Sequence, residues 1–172
     1  TAPREKSLDE LIEHRSELLV AYQNQAYAER YRALVAQVRG AEQALDGDDL
    51  PLTRAVATYL YKVMAYKDEY EVARLYADPV FQEKLSATFA GDYTLSFHLA
   101  PPIFSRGKDA QGRPLKSVFG PWMLPMFRLL ARAKFLRGTA FDPFGRLEER
   151  REERALIEDY RALLEELLQG LT

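Results

Sequence analysis

The chain has 172 residues, a length typical of one domain, and its 24 basic and 26 acidic side chains give a net charge of −2. Hydrophobic residues make up 47% of it, enough for a buried core, which excludes an intrinsically disordered chain. It contains no cysteine, so disulfides, thiolate nucleophiles and iron–sulfur ligation are excluded. No apolar run approaches the roughly 20 residues that cross a bilayer, and no secretory leader opens the chain, so we expect no membrane partner.

Charge is unevenly distributed along the chain. Residues 92–141 hold eight Lys and Arg side chains against two Asp, a net of +6, whereas the remainder carries −8. Six of the nine prolines lie between residues 92 and 143, which predicts irregular structure in this middle region. The chain begins at Thr1 rather than Met and ends without a closing signal, so we expect a single helical domain, residues 1–172, that is a fragment of a longer polypeptide.

The first part of the chain is expected to be helical. Ser7 and Glu10 match a capping box, in which each side chain satisfies a free backbone N–H of the other, so a helix should begin there. Apolar residues then recur at spacings of three and four, which predicts one long helix or two in tandem. The break should fall near residues 23–25, and Gly40 or Gly47 should end the helical segment.

Two prolines indicate where the next helices start. Pro51 suits the first turn of a helix, where its missing N–H would be unpaired in any case, and that helix should end near Tyr76. Asp78 followed by Pro79 combines a capping side chain with a helix-starting proline, and it predicts a short helix to about Phe89.

A small β element is predicted in the middle of the chain. Residues 93–99 alternate bulky with small or polar side chains, and residues 115–119 can supply the partner that satisfies their backbone. A helix should follow from Pro121 to Arg137. The predicted fold class is mainly α, a helical domain with a small β-hairpin or short sheet at about residues 93–119.

The last helix should follow a turn at residues 141–145 and carry an apolar stripe on one side. The stripe comprises Leu156, Ile157, Tyr160, Leu163, Leu164, Leu167 and Leu168. On the opposite side we expect two ion pairs at i,i+4 spacing, Arg154 with Glu158 and Arg161 with Glu165.

The common catalytic motifs are missing from the sequence. Gly107 and Lys108 lack the upstream glycine of a phosphate-binding loop, and no G-x-S-x-G elbow presents a serine nucleophile. The two histidines, His14 and His98, are far apart in the chain, and neither belongs to a helical metal-binding pair. We therefore expect no catalytic residue, no bound cofactor and no metal site in this chain.

A thiamine diphosphate site is also excluded on its ligand pattern. Such sites hold Mg²⁺ through a Gly-Asp-Gly followed by an asparagine, because Mg²⁺ prefers oxygen ligands. The chain contains Gly47-Asp48 and Gly91-Asp92, but its only asparagine, Asn24, precedes both.

A tyrosine-rich stripe is the first candidate for ligand or partner contact. Tyr59, Lys62, Tyr66, Glu69 and Tyr70 should fall close together on one face of the helix that begins at Pro51. The stripe is either a contact surface with a lysine inside it or an amphipathic face with tyrosine tips and a lysine stem along the packing surface, and we favour the second interpretation.

A histidine and a basic loop are the next candidates. His98, at a strand end beside two prolines, can transfer a proton, bind a partner's carboxylate or hydrogen-bond the backbone of the adjacent loop, and we favour the last of these. Arg106, Lys108, Arg113 and Lys116 form a basic loop that can approach the phosphates of a nucleotide or coenzyme A, or remain a solvated loop. No aromatic residues interleave these cations, and the isoelectric point near 5.8 argues against a nucleic-acid partner.

The last candidate surface is apolar. The segment from Phe119 to Ala131 is dense in large side chains, and Trp122, Met123 and Met126 can dock on a neighbouring domain or belong to the core.

Six strings of this sequence resemble, in the same order, the C-terminal region of the long fused indolepyruvate ferredoxin oxidoreductases of bacteria. The strings are RYRALV from Arg30, KVMAYKDEYEVARLY from Lys62, GDYTLSFHLAPP from Gly91, FGPWML from Phe119, RGTAFDPFG from Arg137 and ERALIEDY from Glu153. The match runs from about Ser7 to Leu171, and no single string decides it. In that family this region is a domain of unassigned function.

The resemblance implies a cytoplasmic oxidoreductase that decarboxylates indolepyruvate and related aryl 2-oxo acids to an acyl-CoA and passes electrons to ferredoxin. It implies thiamine diphosphate, magnesium and iron–sulfur clusters held elsewhere in the parent polypeptide, and a parent that forms homo-oligomers. The expected partners of this segment are the other domains of the same polypeptide and coenzyme A. No catalytic residue of the family carries over to a position in this chain.

Two hypotheses follow. The first is a non-catalytic accessory domain of the oxidoreductase, serving assembly, closure over the active site or coenzyme A docking, with an apolar patch near Trp122 left exposed in the separate chain. The second is a domain with its own regulatory ligand site, built from the tyrosine stripe, His98 and the basic loop. A freestanding helical adaptor is a more remote alternative.

Overall fold

A computed structural model describes residues 6–45, 49–89, 91, 93–99 and 115–171. Within them the elements are α1 (Leu8–Tyr22), α2 (Gln25–Ala44), α3 (Pro51–Met64), α4 (Glu69–Ala77), α5 (Pro79–Thr88), β1 (Phe97–Leu99), β2 (Ser117–Phe119), α6 (Met123–Arg132), a 3-10 helix (Ala133–Leu136) and α7 (Glu148–Leu171). The predicted fold class, mainly α with a small hairpin, is confirmed.

The elements group into two compact units. The first unit comprises residues 1–66 and 137–172, and the second comprises residues 67–136. The interpretation of the chain as one domain cut from a longer polypeptide stays a prediction.

The start of α1 and the break before α2 lie where the sequence predicts them. The Ser7 hydroxyl accepts a hydrogen bond from the Glu10 N–H at 3.2 Å, while Glu10 Oε2 accepts from the Ser7 N–H at 2.8 Å. Helix α1 ends at Tyr22, and Asn24 then caps α2 by accepting from the Tyr27 N–H at 2.9 Å. The side-chain oxygens thus satisfy backbone donors that a helix start leaves free.

The first unit buries one apolar core among α1, α2, α3 and α7. Its buried members are Leu19, Ala28, Tyr31, Val35, Val38, Val56, Ala57, Leu60, Met64 and Leu164. Burial raises the pKa of Tyr31, whose hydroxyl donates to the carbonyl of Ala57 at 2.9 Å. This bond joins α2 to α3 and leaves no unsatisfied phenol in the core.

Glu42 of α2 caps the start of α3 from a distance. Leu50, the residue that precedes α3, has no capping side chain. The Glu42 carboxylate instead accepts from the N–H groups of Leu52 and Thr53 at 2.7 Å each and from the Thr53 hydroxyl at 2.6 Å. Burial alone would raise the pKa of Glu42, but these hydrogen bonds outweigh it and hold the pKa below its ordinary value.

Replacing Glu42 by glutamine should lower the free energy of unfolding by about 1–2 kcal/mol near neutral pH, because an amide caps these donors less well than a carboxylate. The pKa of Glu42 is lower in the folded state than in the unfolded one, so its contribution is present above about pH 5 and is lost as the pH falls through the folded pKa. Urea denaturation across this range should therefore show a weaker pH dependence in Glu42→Gln than in the parent chain.

Glu17→Gln is the matched control for Glu42→Gln. Glu17 is exposed on α1, and none of its contacts within the described residues is a hydrogen bond or ion pair. Its replacement should change the free energy of unfolding by less than about 0.5 kcal/mol. Equal effects of the two substitutions would contradict the capping role of Glu42.

The single helix predicted from Pro51 to near Tyr76 is wrong. Helix α3 ends at Met64, and a separate helix, α4, follows. The buried Asp68 starts α4 by accepting from the Glu71 N–H at 2.8 Å. Apolar spacing continues through this break, so periodicity alone does not register a cap inside an otherwise helical pattern.

The second unit contains the predicted hairpin in a shorter form. Strands β1 and β2 are antiparallel, with Phe97 opposite Phe119 and His98 opposite Val118. The strand predicted over residues 93–99 has only its last three residues in the ladder, because β2 offers three partners.

Three aromatic rings form the centre of the second unit. Tyr76 of α4 stacks on Phe127 of α6 with ring centres 5.0 Å apart, and Phe97 of β1 meets both rings edge-on at 5.2 and 5.1 Å. Such edge-to-face and offset contacts add to the stabilisation from burial. The three rings therefore join two helices and the hairpin in one cluster.

Two helix boundaries are settled differently from the sequence. Helix α2 continues past Gly40 to Ala44, because one glycine inside a helix costs only about 1 kcal/mol, and the alternative end at Gly47 lies outside the described residues. The helix predicted from Pro121 to Arg137 begins at Met123 instead, and it tightens into the 3-10 helix that precedes Arg137.

The apolar stripe predicted on α7 is only partly buried. Leu164 is buried in the core, but Leu156 and Leu163 are 56% and 57% exposed, because the first unit covers a narrower strip of α7 than the stripe spans. Arg154 donates to the carbonyl of Gly145 at 2.5 Å instead of pairing with Glu158. The second predicted pair is present, with Arg161 3.5 Å from Glu165.

Candidate functional site

The predicted tyrosine stripe is not a single helix face. Tyr59 and Lys62 lie on α3, with the Lys62 ammonium 4.9 Å from the centre of the Tyr59 ring, but Tyr66 lies beyond the end of that helix. Glu69 and Tyr70 belong to α4, so the helix break at Ala65 separates them from the first pair. The prediction of one shared face is therefore wrong.

The hairpin brings two of the predicted residues to one face. His98 lies opposite Val118, and both side chains are exposed. Because side chains alternate between the faces of a strand, the exposed Lys116, two residues before Val118, lies on the same side. The other cations of the predicted basic loop, Arg106, Lys108 and Arg113, lie outside the described residues, so that loop stays a prediction.

Helix α6 is apolar on two opposite sides. Its inner side packs Phe127 into the aromatic cluster, whereas Trp122, Met126 and Leu129, at spacings of four and three, form an exposed stripe that we name the outer face of α6. Trp122 is 60% exposed and Leu129 is 65% exposed. Apolar residues on both sides of a helix are typical of a helix that packs against other elements on both sides.

Basic side chains border the outer face of α6. Arg128 and Arg132 are exposed on the same helix, and residues 115–141 contain no Asp or Glu at all. The ring of Trp122 meets the ring of Phe119 edge-on at 5.9 Å, which holds the exposed indole in place. The outer face of α6 therefore combines fixed apolar groups with a positive border.

Two of the three buried charged residues described in the first unit hold a turn that was not identified from the sequence. The Arg137 guanidinium donates to the carbonyl of Tyr22 at 2.6 Å and to Gln23 Oε1 at 2.7 Å, and it lies 3.7 Å from the centre of the Tyr22 ring. The buried Asp142 accepts from the N–H groups of Gly138 and Phe144 at 2.8 and 3.1 Å. An arginine and an aspartate among glycines and a proline, as in RGTAFDPFG, are the available signal for such an anchored turn.

A cleft in the first unit is a concave feature of a size that suits a small molecule. Its volume is about 830 Å³. It is lined by Gln23, Asn24, Ala26, Tyr27, Arg30, Ala33, Leu34, Met64, Tyr66, Arg137, Gly138, Arg154, Ile157, Glu158 and Arg161. Of the predicted candidates that the structure describes, only Tyr66 belongs to this lining, and the arginines were not identified from the sequence.

Among the described residues, no group of three or more His, Cys, Asp or Glu side chains is placed to hold a metal ion. No described helix combines the length and apolar character that a membrane span requires.

Comparison with known proteins identifies a family but no characterised relative. Neither a curated protein nor a solved structure matches the chain. One family, described as a family of unknown function (DUF6537), matches residues 8–172. The chain therefore belongs to the family of unknown function DUF6537.

Proposed function

We propose that this chain is a non-catalytic accessory domain of an indolepyruvate ferredoxin oxidoreductase and that the outer face of α6 docks on other domains of the same polypeptide. The observation that carries the proposal is the exposed apolar stripe of Trp122, Met126 and Leu129 on an otherwise packed helix. The resemblance of six ordered strings to that enzyme family supports the other domains of the same polypeptide as the partner of this stripe.

The apolar stripe favours a protein partner over solvent. Large aromatic and aliphatic side chains that remain exposed together are typical of interaction sites. Tryptophan and arginine are also the residues that dominate binding energy at interfaces. Trp122 lies one turn before Met126, and the exposed Arg128 directly precedes Leu129 of the same stripe. The positive border of Arg128 and Arg132 favours a partner surface with an apolar centre and acidic edges.

The redox groups of such an enzyme do not fit this chain. Iron–sulfur clusters need several cysteines, and the sequence has none. The Gly-Asp pairs at residues 47–48 and 91–92 have no asparagine after them to complete a Mg²⁺ and diphosphate site. In the proposed enzyme the other domains of a cytoplasmic polypeptide hold these groups and meet ferredoxin.

The coding sequence upstream tests the identity of the parent polypeptide. We expect the same reading frame to encode, before Thr1, cysteine motifs for iron–sulfur clusters and a Gly-Asp-Gly followed by an asparagine. A stop codon directly upstream, or a preceding domain with neither motif, would overturn the proposal.

Docking is tested in the full-length polypeptide with Trp122→Ala and Leu129→Ala combined. Removing two exposed apolar groups should free the domain, so that limited proteolysis releases it about tenfold faster and ferredoxin reduction with indolepyruvate declines.

The matched control combines Leu156→Ala with Leu163→Ala, two residues of α7 with exposures of 56% and 57%. This control should leave the release rate and the activity within about twofold of the parent enzyme. Equal release from both double variants, or unchanged release from the α6 variant, counts against docking through α6.

A further inference from the structure

The cleft of the first unit is positively charged and has an apolar floor. Four arginines and one glutamate line it, so the charged lining carries a net of +3. Ala26, Leu34, Met64 and Ile157 supply apolar lining between these charges. An apolar pocket with a few converging polar groups is the usual form of a small-molecule site, and about 830 Å³ lies toward the upper end of the range for such sites.

Arg30 is available to a ligand. It is exposed on α2, and within the described residues its one specific contact is with the ring of Tyr27, 4.7 Å from the guanidinium carbon. A guanidinium carries five N–H donors in a fixed planar arrangement, which suits two-point binding of phosphate or carboxylate. None of the five N–H donors of Arg30 therefore has an acceptor among the described residues. The contact with the Tyr27 ring restricts the orientation of the guanidinium.

The two arginines of α7 set the size of the ligand. Arg154 and Arg161 are seven residues apart, which is two helical turns or about 10 Å along the helix. Glu158 at 3.1 Å and Glu165 at 3.5 Å orient the Arg161 guanidinium. One phosphate ion cannot span this separation, whereas a chain of phosphates on an organic body can.

We propose that the cleft of the first unit binds a nucleoside polyphosphate, with the phosphates at the arginines and the nucleoside against the apolar floor. A ring system fits the tyrosine and aliphatic lining, and a chain of negative charges matches the lining's net positive charge. This inference concerns the first unit alone and does not rest on docking through the outer face of α6.

Calorimetric titration of the full 172-residue chain tests the cleft with three probes. Magnesium-free ATP should bind saturably, tripolyphosphate should bind at least about fivefold more weakly, and adenosine should not bind detectably. The proposal is overturned if ATP shows no saturable binding. It is also overturned if tripolyphosphate binds as tightly as ATP, because the apolar floor then takes no part.

Two double variants separate the cleft from general surface charge. Arg30→Gln with Arg161→Gln removes one cation of the cleft from α2 and one from α7, and ATP affinity should fall about tenfold or more. Arg39→Gln with Arg151→Gln removes one cation from each of the same helices outside the cleft lining, and affinity should stay within about twofold. An equal loss in both double variants would refute a specific site.

Folding of the variants is checked independently. Circular dichroism should give the same helical signal and a similar Tm for both double variants, because the replaced arginines lie at the surface. If the cleft double variant unfolds, the single variant Arg30→Gln takes its place, and an ATP affinity equal to that of the parent chain would then overturn the proposal.

Discussion

Replacing Phe127 by alanine should lower the free energy of unfolding by about 3–5 kcal/mol. Phe127 is 4% exposed, and its ring contacts those of Tyr76 and Phe97, which also contact each other. The substitution removes both ring contacts and leaves a cavity among two helices and the hairpin, which the short strands cannot close by shifting.

The fluorescence of the single tryptophan of the chain reports the unfolding of the second unit, so it measures this loss of stability. Trp122 lies directly before α6, so the fluorescence change of the indole in urea follows the unfolding of that unit. Phe127→Ala should shift the midpoint to lower urea with little change in slope. Leu129→Ala, on the exposed side of the same helix, should change stability by less than about 0.5 kcal/mol. Similar shifts for the two variants would mean that the ring cluster is not the centre of the unit.

Substitutions at Phe127 and at Leu129 distinguish an effect on stability from an effect on docking within one helix. Both residues are large and apolar, but only Phe127 is buried by the described residues. A variant at Leu129 should therefore keep the fold and lose the proposed partner, whereas a variant at Phe127 should lose both. Activity lost with unchanged stability can then be assigned to the outer face of α6.

Local signals in the sequence were sufficient for two helix starts. Ser7 and Glu10 satisfy each other's backbone N–H, whereas Asp78 accepts from the Val80 N–H and Pro79 has no N–H to satisfy. Both determinants lie within four residues, so the sequence contains them whole. The start of α3 shows the limit of this reasoning. Pro51 marks the position, but its cap comes from Glu42 on another helix, and no local pattern contains that contact.

Candidate sites were harder to predict because they depend on tertiary packing. The tyrosine stripe was predicted on the assumption of one continuous helix, and the cap at Asp68 divides it. The cleft arginines come from α2, α7 and the turn between Arg137 and Gly145, which are far apart in the chain. The segment from Phe119 to Ala131 left core and interface open, and the fold divides it. Trp122 and Met126 are exposed, whereas Met123 packs partly buried against the aromatic cluster.

Replacing Arg137 by alanine should lower the free energy of unfolding by about 3 kcal/mol. Its guanidinium satisfies the carbonyl of Tyr22, at the C-terminal end of α1, and the side-chain amide of Gln23. A cation at a helix C-terminus is also favoured by the helix dipole, and alanine removes the stacking of the guanidinium on the Tyr22 ring as well.

Lysine at position 137 distinguishes charge from geometry. Arg137→Lys keeps the positive charge at the end of α1, and its ammonium can donate to Tyr22 and Gln23 from one nitrogen, as Nη1 of Arg137 does. It loses the planar guanidinium that lies over the Tyr22 ring, so it should recover only part of the loss. Arg146→Ala, an exposed arginine nearby with no ion pair among the described residues, should change stability by less than about 0.5 kcal/mol. Urea denaturation followed by circular dichroism measures all three variants, and full recovery by lysine would show that charge alone, rather than the planar guanidinium, holds the turn against α1.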